Sequence, residues 1–259
     1  MLQLPFMDSS EGYLVTEVEG LDPVQATFSS ASYAQQDGEQ IQSSRRSARN
    51  IIIKMDALLG YGRTIRELRK NLYRILMPQS EVSMRFYPEG EEAVDIVGRV
   101  ESFDWPIFVK EPDISIAIMC EKPDFIGLTD VTLGGLTTAD STESLVEYDG
   151  DSNTGFVLEL SPDRNLAEFM VFLRGQDNST QTLEFDEPLI AGDVLSISTI
   201  SGDKGATLTR DGVESSIVYG VTPESDWITL HPGENMIRVY AEGAAIPFTL
   251  EFTPRYGGL

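Results

Sequence analysis

Short β-branched and aromatic runs, each closed by Gly, Pro, Asp or Asn, fill this chain almost from end to end. That punctuation constrains the fold more than any other feature. "GYLVTEVEGL", "RNIIIKMDAL", "EVSMRFYP", "DIVGRVESFDW" and "ISIAIMC" are the first five such runs. "GFVLELS", "AEFMVFLRG", "QTLEFD", "DVLSISTI", "ATLTRDGVESSIVY" and "MIRVYAEG" follow. Several alternate, as Met84 and Phe86 do against Ser83 and Arg85, which gives a strand one buried face. The chain is therefore predicted to be mainly β. "SGDKG" (201–205) and "RDGV" (210–213) have the composition of hairpin turns.

One segment breaks the rule. "TIRELRKNLYRILMP", from Thr64 to Pro78, has helical spacing. Thr64 with Glu67 forms a capping box, and Pro78 lies where the helix should stop. Ile65, Leu68, Leu72, Ile75 and Leu76 share an apolar face, while Arg66, Arg69, Lys70 and Arg74 lie elsewhere. In an acidic chain that basic face is expected to be solvated, paired with acids or turned to a protein partner, rather than bound to nucleic acid.

The 259 residues allow one large domain or two ordinary ones. "KPDFIGLTDVTLGGLTTADSTES" is rich in Gly, Thr, Ser and Asp, and the charge balance changes there. Up to Leu128 there are 13 Lys and Arg against 20 Asp and Glu, and 13 − 20 = −7. From Thr129 onward there are 6 against 22, and 6 − 22 = −16. Residues 1–128 are thus read as a β domain with one helix, and 129–259 as an all-β sandwich. The net charge of −23 repels phosphate backbones and argues against nucleic-acid binding by attraction.

The chain is poor in chemistry. Cys120 is its one cysteine, so it has no internal disulfide and no cysteine-based zinc site. Its place in "ISIAIMC" predicts a buried structural thiol. His231 is the one histidine, and a Ser/His/Asp triad would have to use it from within the turn "LHPGEN". There is no G-x-S-x-G elbow, P-loop or H-E-x-x-H. Glu91 with Glu92 and Asp186 with Glu187 are adjacent, so on a strand they point to opposite faces and form no acid/base dyad. Asp149, Asp151 and Asn153 alternate as in an EF-hand loop. Thr154 then stands where that loop needs glycine, and Leu160 where it needs a bidentate acid. A polar surface loop explains them better, with another kind of calcium site left open. Asn178 opens an N-x-S/T sequon that has no weight without a secretory leader. "MLQLPFMDSS" does not resemble such a leader, and no apolar stretch approaches the ~20 residues of a membrane helix. The expectation is synthesis in the cytoplasm without an anchor, with no catalytic residue, no metal and no cofactor.

Trp105 and Trp227 are expected to pack at strand ends. The stretch "DWITLHPGENMIRVYAEG" reads as a hairpin. In it Pro232 fixes φ, Gly233 supplies a positive φ and Asn235 bonds the turn backbone. Trp227, Tyr240 and Tyr256 are the candidates for a platform on which a sugar ring could stack.

Two sets of motifs together resemble the distal tail (Dit) proteins of long-tailed bacteriophages. The first is Arg49 leading "NIIIKM", the helix "RELRKNLYRILMP", the strands "SMRFYP" and "GRVESFDW", and "ISIAIMCEKPDF". Lys122 departs from the acid that often precedes the proline there. The second is "DWITLHPGENMIRVYAEG" followed by "IPFTLEFTPRYGGL". The resemblance implies a non-enzymatic virion protein of the tail tip or baseplate, made in the host bacterium. It implies an N-terminal domain that builds a hexameric ring between the tail tube protein and the central hub. It implies a galectin-like β-sandwich outside the ring, sites for adhesins or side fibres, and a lumen through which DNA passes as cargo. The rival reading is a carbohydrate-binding β protein that recognises a host receptor.

Overall fold

Thr64 and Glu67 start the predicted helix. The Thr64 hydroxyl accepts from the Glu67 N–H, and the Glu67 carboxylate accepts from the Thr64 N–H. In the computed structural model, which describes residues 12–32, 37–58, 64–107, 109 and 112–259, helix α1 runs Ile65–Ile75. The chain divides into two compact units, Met1–Phe125 with Gly257–Leu259, and Ile126–Tyr256.

In the first unit five strands form an antiparallel sheet: β1 (Tyr13–Glu19), β4 (Arg49–Ala57), β7 (Asp113–Cys120), β6 (Val94–Asp104) and β5 (Glu81–Phe86), in that spatial order. Alternation assigns the two faces. Ile51, Met55, Ile96, Ile114, Ile116 and Ile118 are buried on one of them. Helix α1 adds Leu68 and Leu72, both fully buried, and Leu76. The Tyr13 hydroxyl donates to the Leu68 carbonyl at 2.8 Å, and Tyr73 meets Phe103 edge-on at 5.0 Å. Ile75, assigned by spacing to the apolar face, is instead 38% exposed: the helix ends there and Leu76 takes the inward position.

Two further strands, β2 (Ala26–Ala31) and β3 (Gln40–Arg46), pair with each other and, among the described residues, with no other strand. They carry no apolar alternation, which is why the sequence does not announce them. β8 (Phe125–Gly127) and β9 (Val131–Leu136) lie within the stretch read as a linker. Its glycines and threonines suit an edge strand, and β9 has a single neighbour.

The second unit is a two-sheet sandwich, as expected. One sheet orders β10 (Ser144–Tyr148), β17 (Gly233–Tyr240), β12 (Phe169–Arg174) and β13 (Thr180–Phe185). The other orders β16 (Val213–Ser216), β15 (Gly205–Arg210), β14 (Val194–Ser198), β11 (Val157–Leu160), β18 (Pro247–Phe252) and β9. Their inner faces share one core, including Phe156, Phe169, Phe185, Leu195, Leu250 and Phe252. Both predicted turns are present. Arg210 pairs with Val213 across Asp211 (φ 52°) and Gly212 (φ 75°), a two-residue loop with both residues left-handed. The last strand, β19, is Arg255–Tyr256.

Candidate functional site: a buried arginine clamp and the surfaces around it

The first unit is tied together by Arg49, at the start of β4 and 1% exposed. Its guanidinium donates to four backbone carbonyls: Pro123 at 2.6 Å, Asp22 at 2.8 Å, Gly20 and Gly257. It also lies 4.4 Å over the Phe125 ring. A guanidinium has five fixed donors and no acceptor, so only a cage of carbonyls satisfies it when buried. The clamp therefore holds the β1–β2 connection, the exit from β7 and the chain's last residues in one place. Gly20, at φ +84°, fits because an added Cβ would stand 2.0 Å from the Asn50 carbonyl oxygen. Beside the clamp Arg46 pairs with the largely buried Asp124. Cys120 ends β7 fully buried, and burial pushes its thiol up to about 11, so it is the inert structural group that was expected.

Around this frame the unit leaves much backbone open. Among the described residues β1 and β5 are sheet edges, and nearly all of the β2–β3 hairpin is exposed, with Phe28 at 58% and Ile41 at 60%. The sheet face away from the core carries Lys54, Arg85 and Arg99. Lys54 pairs with Glu17 at 2.9 Å and with Glu19, and Arg85 with Asp95 at 2.7 Å. Arg99 faces Glu81 at 3.5 Å and Glu121 at 3.8 Å. Arg85 holds the Asp95 carboxyl below its ordinary range, while partial burial opposes it.

The candidate stacking residues of the second unit, Trp227, Tyr240 and Tyr256, lie on separate elements. Trp227 is half-buried against the sandwich core, with the Lys204 ammonium 5.7 Å from its ring. Tyr240 lies on the outer face of β17, in register with Met170, and next to it Arg238 stacks on Phe172 at 4.1 Å. Tyr256 sits in β19. Among the described residues no ring contact joins any two of the three. His231 is a turn residue, as read. The Gln181 amide, which also donates to the Thr229 carbonyl at 3.0 Å, lies 3.1 Å from its Nε2. The segment is not a hairpin, however. Leu230 bridges to Thr154, and β17 pairs with β10 and β12. Asn235, fully buried, organises the turn as predicted: its amide donates to the carbonyls of His231 at 2.8 Å and Gly233 at 3.0 Å and accepts from the His231 N–H at 3.0 Å.

Asp149, Asp151 and Asn153 point to solvent around a tyrosine corner. There the Tyr148 hydroxyl donates to the Ser152 carbonyl at 2.6 Å and accepts from the Arg255 N–H at 3.0 Å. Among the described residues no group of three His, Cys, Asp or Glu side chains is disposed to hold a metal, and no helix is long and apolar enough to cross a membrane. The sequence did not point to the clamp's partners, because carbonyls carry no side-chain signal.

The fold has relatives among solved structures. The Dit (gp 19.1) protein of phage SPP1, described as a paradigm of the hub adsorption apparatus in phages that infect Gram-positive bacteria, superposes with a TM-score of 0.69 at 20% identity. The match covers 95% of this chain and 94% of that one. A chain of the phage P2 baseplate, in its activated conformation with Ca, gives a TM-score of 0.45 at 12% identity over 93% and 90% of the two chains. No curated protein matches significantly. Residues 149–256 match the family described as siphovirus-type tail component, C-terminal domain. Residues 149–256 thus carry the C-terminal domain of a siphovirus-type tail component, and the chain has the fold of the SPP1 Dit protein. That agrees with the resemblance drawn from Arg49, the helix and the Pro-Gly turn.

Proposed function

We propose that this chain is a Dit-type protein of the phage tail tip or baseplate and acts there as a ring adaptor. Six copies join through residues 1–128 into a ring that continues the tail tube and seats the central hub. The sandwich of residues 129–259 stands outside and offers sites for an adhesin or side fibre. The observation that carries this reading is the open backbone of the first unit. A soluble monomer protects its sheet edges, and an isolated two-stranded hairpin is marginal in water. Edge strands β1 and β5, with the exposed β2–β3 hairpin, suit a chain whose neighbours complete its sheets. The paired cations of the outer sheet face support a lumen that DNA crosses as cargo. Lys54, Arg85 and Arg99 are each matched by an acid and would not hold phosphates.

Light scattering of the purified chain, with negative-stain images of the same fraction and with tube and hub proteins added, tests the reading. Six-fold rings with a central channel are expected. A chain that stays monomeric with both partners present refutes it.

A glycan-binding role for the sandwich is favoured by one observation, the Tyr240 ring beside the Arg238–Phe172 stack on an open sheet face. A glycan array would show selective binding lost in Tyr240→Ala but kept in Trp227→Ala. No selective binding sinks this second reading.

A further inference from the structure

We propose that the basic face of helix α1 is a docking surface for a second copy of this chain, and that it receives the acidic β5–β6 loop of that copy. This rests on the ring reading above and supplies a contact that would run from one subunit to the next.

The helix face is unusual for this protein. Arg66, Lys70 and Arg74 stand four residues apart, and Arg69 flanks them. Like charges at this spacing weaken a helix. Among the described residues none of the four forms an ion pair with an acid. They are four unmatched cations on a chain whose net charge is −23. At the C-terminal end of the same helix Ile75 is 38% and Met77 51% exposed, so an apolar contact adjoins the charged stripe.

The complementary surface lies in the same unit. The loop between β5 and β6 presents Glu89, Glu91 and Glu92, all exposed, beside Tyr87 at 71% exposure. Among the described residues none of these acids is ion-paired within its own chain. Strand β5, six residues and about 20 Å long, separates the helix end from the loop, so the two surfaces face different parts of one subunit. Each fits the other's charge, and each sets an exposed apolar side chain beside its charges. A patch that binds a different patch of its twin makes a head-to-tail contact, and such contacts form rings when the rotation between copies closes.

Ionic strength separates this contact from general stickiness. Two copies repel as wholes. At about 0.15 M salt the screening length is about 8 Å, which hides the distant charge and spares pairs in contact. Self-association therefore peaks near physiological salt and falls at both extremes.

The test uses the full chain, light scattering and two charge-reversed variants, one Arg66→Glu/Lys70→Glu/Arg74→Glu and the other Glu89→Lys/Glu91→Lys/Glu92→Lys. Each alone should weaken association at least about tenfold, since exposed pairs are individually modest. Combining both sets in one chain should restore it. Carbodiimide coupling of a mixture of light and 15N-labelled wild-type chains should link Lys70 to the 87–93 loop between copies. Rings that survive both single reversals overturn the docking and leave the ring reading standing. Reversals that are not rescued in combination overturn it, as does a wild type without intermolecular Lys70 links to that loop. Helix-dependent retention on DNA overturns it in favour of nucleic acid.

Discussion

Replacing Arg49 should unfold the first unit while sparing the second. In Arg49→Met the side-chain volume is roughly kept, but five donors disappear and the four carbonyls of Gly20, Asp22, Pro123 and Gly257 lose their partner. Leaving a buried hydrogen-bonding group unsatisfied costs about 1–3 kcal/mol, so removing the partner of four carbonyls, some of which can take up water, should cost about 3–5 kcal/mol. That is a large part of the roughly 5–15 kcal/mol that holds a domain folded. Each unit contains one tryptophan, Trp105 in the first and Trp227 in the second. Urea unfolding followed by fluorescence in a Trp227→Phe background thus reports the first unit alone. With a slope of about 2 kcal/mol per M, the midpoint should fall by about 1.5–2.5 M. Arg49→Lys should recover little of this, because an ammonium has three donors on one atom and cannot span four carbonyls. In a Trp105→Phe background the second transition should stay put. A midpoint shift below about 0.5 M in Arg49→Met, equivalent to about 1 kcal/mol, would refute the claim that the clamp holds the unit together.

Three other outcomes follow from the same reasoning. Gly20→Ala should abolish soluble expression, because its Cβ would strike the Asn50 carbonyl. Gly38→Ala, at a positive φ in open space, should cost only about 1–2 kcal/mol, and equal costs in the two would contradict the steric argument. Asn235→Ala should destabilise the second unit by about 2–4 kcal/mol, and Asn235→Asp should not rescue it because both donated bonds remain lost, as measured by Trp227-reported unfolding. Asp193, with a 1% accessible side chain, accepts from Arg210 at 2.6 and 2.8 Å and from the Ile190 N–H at 2.8 Å. Arg210 chiefly holds its carboxyl below the ordinary range, against burial. Its folded pKa lies below the unfolded value of about 3.9, so its contribution is full above that pH and is lost as pH falls through the folded pKa. Asp193→Asn should therefore be less stable at neutral pH and show a flatter acid limb, and an unchanged limb would count against the pair.

Local chemistry was written plainly in the sequence. The capping box of Thr64 and Glu67, the Asp211-Gly212 turn and the Asn235-bonded Pro-Gly turn each depend on residues within four positions of one another, so their spacing predicts them. Strand alternation picked out Met84 and Phe86 as the inward side chains of β5, because that strand has one wet side and one drier side. The tertiary structure alone decided the rest. β2 and β3 pair without burying a face, so no apolar period marks them. The approach to the Pro-Gly turn looked like a hairpin arm, yet Leu230 bridges to Thr154, because strand partners are chosen across a sheet and not along a chain. Arg49 drew notice at the head of "NIIIKM" but gave no sign of what it would bond. Its four carbonyls come from positions 27 to 208 residues away, and a backbone carbonyl has the same chemistry at every residue until folding selects which ones meet.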